Sequence, residues 1–250
     1  MTYRTRIGIL IAFVALFLIT APVVVLYTAG YRWNEKKFRL EKVGIIFLRS
    51  RPSYAEIYVD GKLRSERTSA RLRNLLPSDY QIKVAKKGYT SWSKTLPVAS
   101  GLTTFAEGIV LWKIAPSEEL SSAPAAVMNA NELGMLNRAD PLTEKLNDET
   151  FKSDGFEIWV KNKNGDHETV TRLSDEITAI LPWSADAGWV IYETATAVHA
   201  IERDGRDVRN DVTLATGKAL SGLAESSDGK TLYYTSGVGS GATLWRRELQ

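Results

Sequence analysis

The chain has no cysteine and only two histidines, His167 and His199, among its 250 residues. Without cysteine it can form no disulfide, no thiolate-ligated zinc site and no thiol nucleophile. His199 falls in a strand-like run and His167 in a loop-like one, and neither has a metal-ligand partner at helical or hairpin spacing. No metal and no cofactor is therefore expected. Long charge-free runs are scarce too. The exception is "IGILIAFVALFLITAPVVVLY", Ile7 to Tyr27.

As a helix this run reaches about 30 Å, the thickness of a bilayer's hydrocarbon core. A cleaved leader has an apolar region of only about 7–15 residues, so the length favours a retained anchor over a signal peptide. Membrane helices accommodate a proline such as Pro22. Tyr27, Tyr31 and Trp33 fall where an interfacial aromatic belt is expected. Residues 1–30 are read as tail and anchor, with the lipid bilayer as partner through Ile7–Tyr27, and residues 31–42 as a basic juxtamembrane segment. Arg4 and Arg6 precede the run, whereas Arg32, Lys36, Lys37, Arg39 and Lys42 follow it. Counted literally, these charges place the bulk of the chain in the cytoplasm, while a short tail with two arginines also fits an uncleaved signal anchor.

The net charge of +3 conceals an asymmetry: 19 Lys/Arg against 7 Asp/Glu up to Lys113, then 13 against 22 beyond it. The half next to the anchor is thus the basic one, suited to anionic headgroups. It carries no signature of a nucleic-acid-binding fold, so nucleic acid is not an expected partner.

From Val43 to Lys113 the pattern is of short strands. "VGIIFLRS" is β-branched and aromatic. "AEIYVDGK" alternates into an Asp-Gly pair, which predicts a hairpin with Ile57 and Val59 on one face. Tyr80, Ile82 and Val84 alternate after a Pro-Ser-Asp turn. These segments, with "KKGYTSW" and "LPVASG", resemble a PEGA domain on Ser50, Pro52, Ala55, Asp60, Gly61, Tyr80, Gly88, Tyr89, Trp92 and Gly101. The departures, Ser53-Tyr54 and Ser78-Asp79, fall in expected turns. The resemblance implies a small immunoglobulin-like β-sandwich over 43–113, outside the cytoplasm, used for binding or spacing and carrying no catalytic residue. It also tips the expected orientation towards an extracytoplasmic bulk.

"APSEELSSAPAAVMNANELG" reads as a linker, 114–131. Beyond it the chain repeats at an offset of 42. Ser184 and Asp186 align with Ser226 and Asp228, Trp189–Tyr192 with Thr231–Tyr234, and Phe156 with Val198. Such a period, with several strands in each repeat, predicts two to three propeller-like β-blades over 132–250. The "S-x-D-G-x-x-L-Y-Y" run is similar to the blade pattern of TolB-type propellers. Trp159, Trp183 and Trp245 are expected between blades, and an incomplete ring leaves an edge open to self-association. The fold class is therefore mainly β: an N-terminal transmembrane helix, a small sandwich and a partial propeller.

Catalytic constellations are sparse. The glycines of "GVGSGA" (237–242) precede a strand rather than the helix a phosphate loop requires. Glu118-Glu119 sit in the expected linker, where nothing desolvates them. The expected function is non-catalytic: a single-pass cell-envelope protein that binds or scaffolds a surface polysaccharide or another envelope protein. Candidate contacts are Arg64, Arg67, Arg71, Arg73 and the aromatic pair Tyr89 and Trp92. The alternatives are the remnant of a propeller-containing hydrolase or cyclase, and a pure structural spacer.

Overall fold

The computed structural model describes residues 3–35, 37–120, 127–238 and 241–250, without the side chain of Arg4. Lys36, positions 121–126 of the expected linker and the centre of the 237–242 loop (239–240) lie outside the described residues.

The elements are a long helix α1 (Tyr3–Thr28), then β1 (Tyr31–Asn34), β2 (Arg39–Lys42), β3 (Gly44–Arg51), β4 (Glu56–Val59), β5 (Lys62–Arg67) and β6 (Ala70–Leu75). There follow β7 (Ser78–Ala85), β8 (Trp92–Val98), β9 (Thr103–Val110), β10 (Glu118–Leu120), a short helix α2 (Ala130–Leu136), β11 (Thr143–Leu146) and β12 (Glu149–Ser153). The remainder is β13 (Glu157–Lys161), β14 (His167–Arg172), β15 (Ile177–Pro182), β16 (Trp189–Thr194), β17 (Ala197–Glu202), β18 (Asp211–Thr216), β19 (Leu220–Glu225), β20 (Thr231–Ser236) and β21 (Thr243–Glu248). Ser78 and Asp79, expected in a turn, begin β7, and His167, expected in a loop, begins β14.

Contacts group these elements into two compact units. The first comprises Met1–Arg49, Ser69–Tyr80 and Leu96–Glu107; the second comprises Ser50–Thr68, Gln81–Thr95 and Gly108–Gln250. This differs from the chain-order division expected at residue 113, because strands of the 43–113 segment are shared between the units.

In the first unit, α1 contains a 24-residue segment, Thr5–Thr28, long and apolar enough to cross a membrane. Its apolar side chains are exposed on every side, so it has no single face to bury against a core. Pro22 removes one backbone donor. The Thr20 and Thr28 hydroxyls fold back to donate to Leu16 and Val24 carbonyls at 2.9 and 3.0 Å, which keeps them satisfied without water. Arg32 closes the helix end, donating to the Tyr27 and Tyr31 carbonyls at 2.8 Å each with its guanidinium 3.6 Å over the Tyr27 ring. β1 pairs with β2, and β6-β3-β9 form a three-stranded sheet. Gly44 opens β3 where a Cβ would meet Val98 at 2.5 Å and the Ala99 carbonyl at 2.6 Å, so no larger residue fits there.

The second unit holds three four-stranded sheets, in the orders β11-β12-β13-β14, β15-β16-β17-β18 and β10-β21-β20-β19, and most of a fourth, β5-β4-β7-β8, in which Ser78–Tyr80 of β7 and Leu96–Val98 of β8 belong to the first unit. The predicted hairpin is β4–β5. Val59 pairs with Lys62, and Asp60 and Gly61 both take positive φ (49° and 76°), as a two-residue type I′ loop requires. Ile57 and Val59 are buried and Asp60 is exposed. The 42-residue offset survives as structure: β16 and β20 are each the second strand in chain order of their hairpin runs, and β13 and β17 each the third. The Asp186 and Asp228 carboxylates, aligned by the repeat, accept backbone N–H bonds from Gly188 and Lys230 at 3.0 and 3.1 Å and so brace the two turns alike.

β15 packs against β11, β12 and β19, which links the last three sheets in sequence. Phe151, Ile158, Val160, Val170, Ile180, Val190 and Tyr192 form one core across the first two of them. Trp112 lies 4.8 Å from Trp183 and 5.4 Å from Trp189, ring centre to ring centre, in a second apolar knot. The Trp183 indole donates to the Gly229 carbonyl at 2.7 Å and so ties two sheets together. Trp159 and Trp245 are half-buried on their own strands. Part of the expected linker is β10, which pairs with β21, and Glu118 is bound to Arg246 at 2.7 Å.

Candidate functional site

The sequence-derived contacts are divided between the two units. Arg64 and Arg67 lie on β5, half-buried; Arg67 pairs with Glu56 at 3.5 Å and Arg64 approaches Glu66 at 3.6 Å. Arg71 and Arg73 lie on β6, in the other unit, with the Arg71 guanidinium 5.7 Å from the Phe47 ring centre. Tyr89 is half-buried and bridges to Lys113. Trp92 is 1% exposed and donates its indole N–H to Glu202 Oε1 at 3.0 Å, so it is a core side chain and offers no open ring face.

That hydrogen bond belongs to a buried cluster absent from the sequence reading. Lys94, fully buried, sits 3.0 Å from Glu202 Oε2 and 3.7 Å from Asp204 Oδ2, and donates to the Asp204 carbonyl at 2.6 Å. Asn210 Nδ2 donates to the second Glu202 oxygen at 2.8 Å and to the Ser93 carbonyl at 3.2 Å. The Thr95 N–H donates to Asp207 Oδ2 at 2.8 Å and holds that carboxyl below its ordinary range. β8 is thereby fastened to the loop between β17 and β18. The signal was present in the sequence: Lys94 alternates in phase with Trp92, Leu96 and Val98, all buried.

A cavity of about 180 Å³ opens between the end of α2, β15, β16 and β19. Its most unusual wall is Glu193, a wholly buried residue in the all-buried strand β16. Thr178 Oγ1 donates to Glu193 Oε1 at 2.8 Å, while Oε2 has no partner. Burial pushes the carboxyl up to a pKa of about 7, against the opposing pull of Thr178 and Arg138. Arg138 spans the other side, donating to Glu144 at 3.1 Å and to the Ile180 carbonyl, with its Nε–H unpartnered. Gly222, at φ +72°, lets the Leu136 carbonyl approach β19; a Cβ there would meet it at 2.7 Å. An uncommitted carboxyl oxygen that titrates near neutrality, facing a cavity that also holds a guanidinium, can hold a small polar group or exchange a proton with one.

Two further groups are accounted for by structure. Glu225 is also pushed up to about 7 by burial, but both its oxygens accept from the Ser184 N–H, at 3.0 and 3.3 Å. His199 Nδ1 lies 3.3 Å from Asp211, and its ring stacks on Tyr192, whose hydroxyl donates to Asp211 at 2.7 Å. Among the described residues no group of three or more His, Cys, Asp or Glu is placed to hold a metal.

Residues 43–107 match the PEGA domain family. The resemblance read from "AEIYVDGK" and its neighbours therefore holds for that segment, from the first residue after β2 into β9. No curated protein matches the chain at a significant level.

Proposed function

We propose that the chain is a single-pass, membrane-anchored, non-catalytic scaffold of a cell envelope, with its bulk outside the cytoplasm, that presents its β-sheets to a surface polymer or another envelope protein. The observation that carries this reading is α1, whose apolar side chains are unburied all round its circumference. Water is a poor solvent for such a surface and lipid a good one. The PEGA segment follows within one hairpin of the helix end. Lys94, Glu202, Asp207 and Asn210 are engaged in holding β8, which suits a load-transmitting role better than a reacting one.

We further read 43–113 as a sandwich and the three C-terminal sheets as propeller-like blades. What supports the blades is the four-strand antiparallel plan repeated three times, the packing of β15 on its neighbours on both sides, and the completion of the last sheet by the upstream strand β10. The test of the anchored reading is alkaline carbonate extraction of membranes containing the full chain. Retention in the pellet supports the anchor, and release into the supernatant removes it. Binding of the detergent-solubilised chain to envelope polysaccharide and to envelope proteins, at low and high salt, then tests the scaffold role; no binding to either leaves a spacer.

A further inference from the structure

The β1–β2 hairpin is built inside out. Its register pairs Tyr31 with Lys42 and Trp33 with Leu40, so these side chains share one face, while Arg32, Asn34, Arg39 and Glu41 share the other. On the polar face Asn34 and Glu41 are buried while Arg32 is half-buried and Arg39 reaches out to solvent; on the aromatic face no described side chain is buried. Asn34 and Glu41 are 5% and 7% exposed, whereas Trp33 is 55%, Leu40 48% and Phe38, in the turn, 80% exposed. A cage around Glu41 fixes this choice: Asn34 Nδ2 donates to it at 2.6 Å, Arg39 Nε at 2.7 Å and Lys37 Nζ at 3.3 Å. With its carboxylate held inward, the aromatic face has only the outside to occupy.

We propose that this outer face, Tyr31, Trp33, Phe38 and Leu40, is a lipid-binding foot seated in the headgroup region of the bilayer. The inference rests on the anchored reading above and extends it from the helix to the hairpin. Continuity names the occupant. Tyr31 follows the end of α1 by three residues, Arg32 clasps the Tyr27 ring and carbonyl, and the Val43 N–H donates to the Gly30 carbonyl at 2.9 Å. Both ends of the hairpin are thus tied to the helix terminus. A four-residue strand extends about 13 Å, more than the roughly 5–8 Å depth of the leaflet's polar zone, so the foot requires the hairpin to lie along the surface rather than stand up from it. Trp and Tyr prefer that zone, because the ring is apolar and its edge hydrogen-bonds. The segment from Tyr31 to Lys42 has five Lys/Arg against two Glu, which complements anionic headgroups.

The experiment uses the full chain in phosphatidylcholine–phosphatidylglycerol vesicles made with lipids brominated either high or low on the acyl chain. Wild-type tryptophan emission is expected to be quenched more by the high bromines, and Trp33→Ala to cut that quenching at least two-fold. Leu40→Trp, on the same face, is expected to add to it, which covers the case in which Trp33→Ala fails to fold. If the protein floats with the vesicles but neither substitution changes the quenching, the foot is overturned and the anchor stands. If the wild type does not float, the anchored reading fails and the foot with it.

Discussion

Leu10, Phe13, Phe17 and Ile19 of α1 are each more than 60% exposed, whereas in the second unit the side chains of Lys94 and Glu193 are fully buried. Hydropathy alone predicts the reverse in each place. The contrast teaches that a side chain settles where its groups find partners. In the second unit Lys94 has Glu202, Asp204 and a carbonyl, so the cost of dehydrating its ammonium is offset locally. In α1 none of the described residues covers the apolar surface, and the proposed lipid supplies the partner.

The largest test of that contrast is Lys94→Met. It leaves Glu202 buried without its cation, and a loss of about 3–5 kcal/mol is expected from chemical unfolding in detergent. The double substitution Lys94→Met with Glu202→Gln, which removes the unpaired charge and keeps an acceptor for the Trp92 indole, should recover part of the loss; if it is no better than the single change, the pair is not the joint described. In α1, Leu16→Arg should raise the cost of membrane insertion by about 2.5–3.5 kcal/mol, read as protein lost from the carbonate-resistant fraction. An unchanged fraction would mean that α1 does not lie in lipid.

A smaller effect is expected from Glu193→Gln. Between pH 4.5 and about 7 the folded chain keeps a proton on Glu193 that the unfolded chain has released. Stability therefore falls as pH rises through that window and is level above it. Glutamine keeps an acceptor for Thr178 and removes the titration, so it should flatten the slope and stabilise the protein above pH 7 by on the order of 1–3 kcal/mol. The slope that remains belongs to Glu225. Melting curves at pH 5 and pH 8 measure both. Gly61→Ala, in an exposed turn with no neighbour within 4 Å of the new methyl, should cost only the backbone penalty of positive φ, about 1 kcal/mol. A larger loss would show the turn to be held by more than its own geometry.

The parts legible in the sequence were those with a short period. β-branched and aromatic content marked β3, alternation marked β4 and β7, the Asp-Gly pair marked the β4–β5 loop, and the 42-residue offset aligned β16 with β20. What alternation could not supply was the partner across the chain. Lys94 and Glu202 are 108 positions apart in number, and nothing local announces that they meet, although a lysine in phase with Trp92 and Leu96 marks a buried cation in need of one. Glu193 was hidden differently. It follows Trp189–Tyr192 in a strand buried on both faces, where a single carboxylate carries no periodic signal. The arginines were selected for charge, and charge does not report which sheet a strand joins: Arg67 and Arg71 are close in the chain and lie in separate units.

The short strand β10 has an implication for how the protein is made. Glu118 meets Arg246 across 128 positions, so a ribosome delivers this strand long before the strand it will pair with. Until β21 emerges, Glu118–Leu120 lacks the strand that satisfies its amides, and an unpaired edge is a template for mispairing. Completion of the last sheet therefore waits for β21, and in the order of synthesis it follows the other three sheets of the second unit.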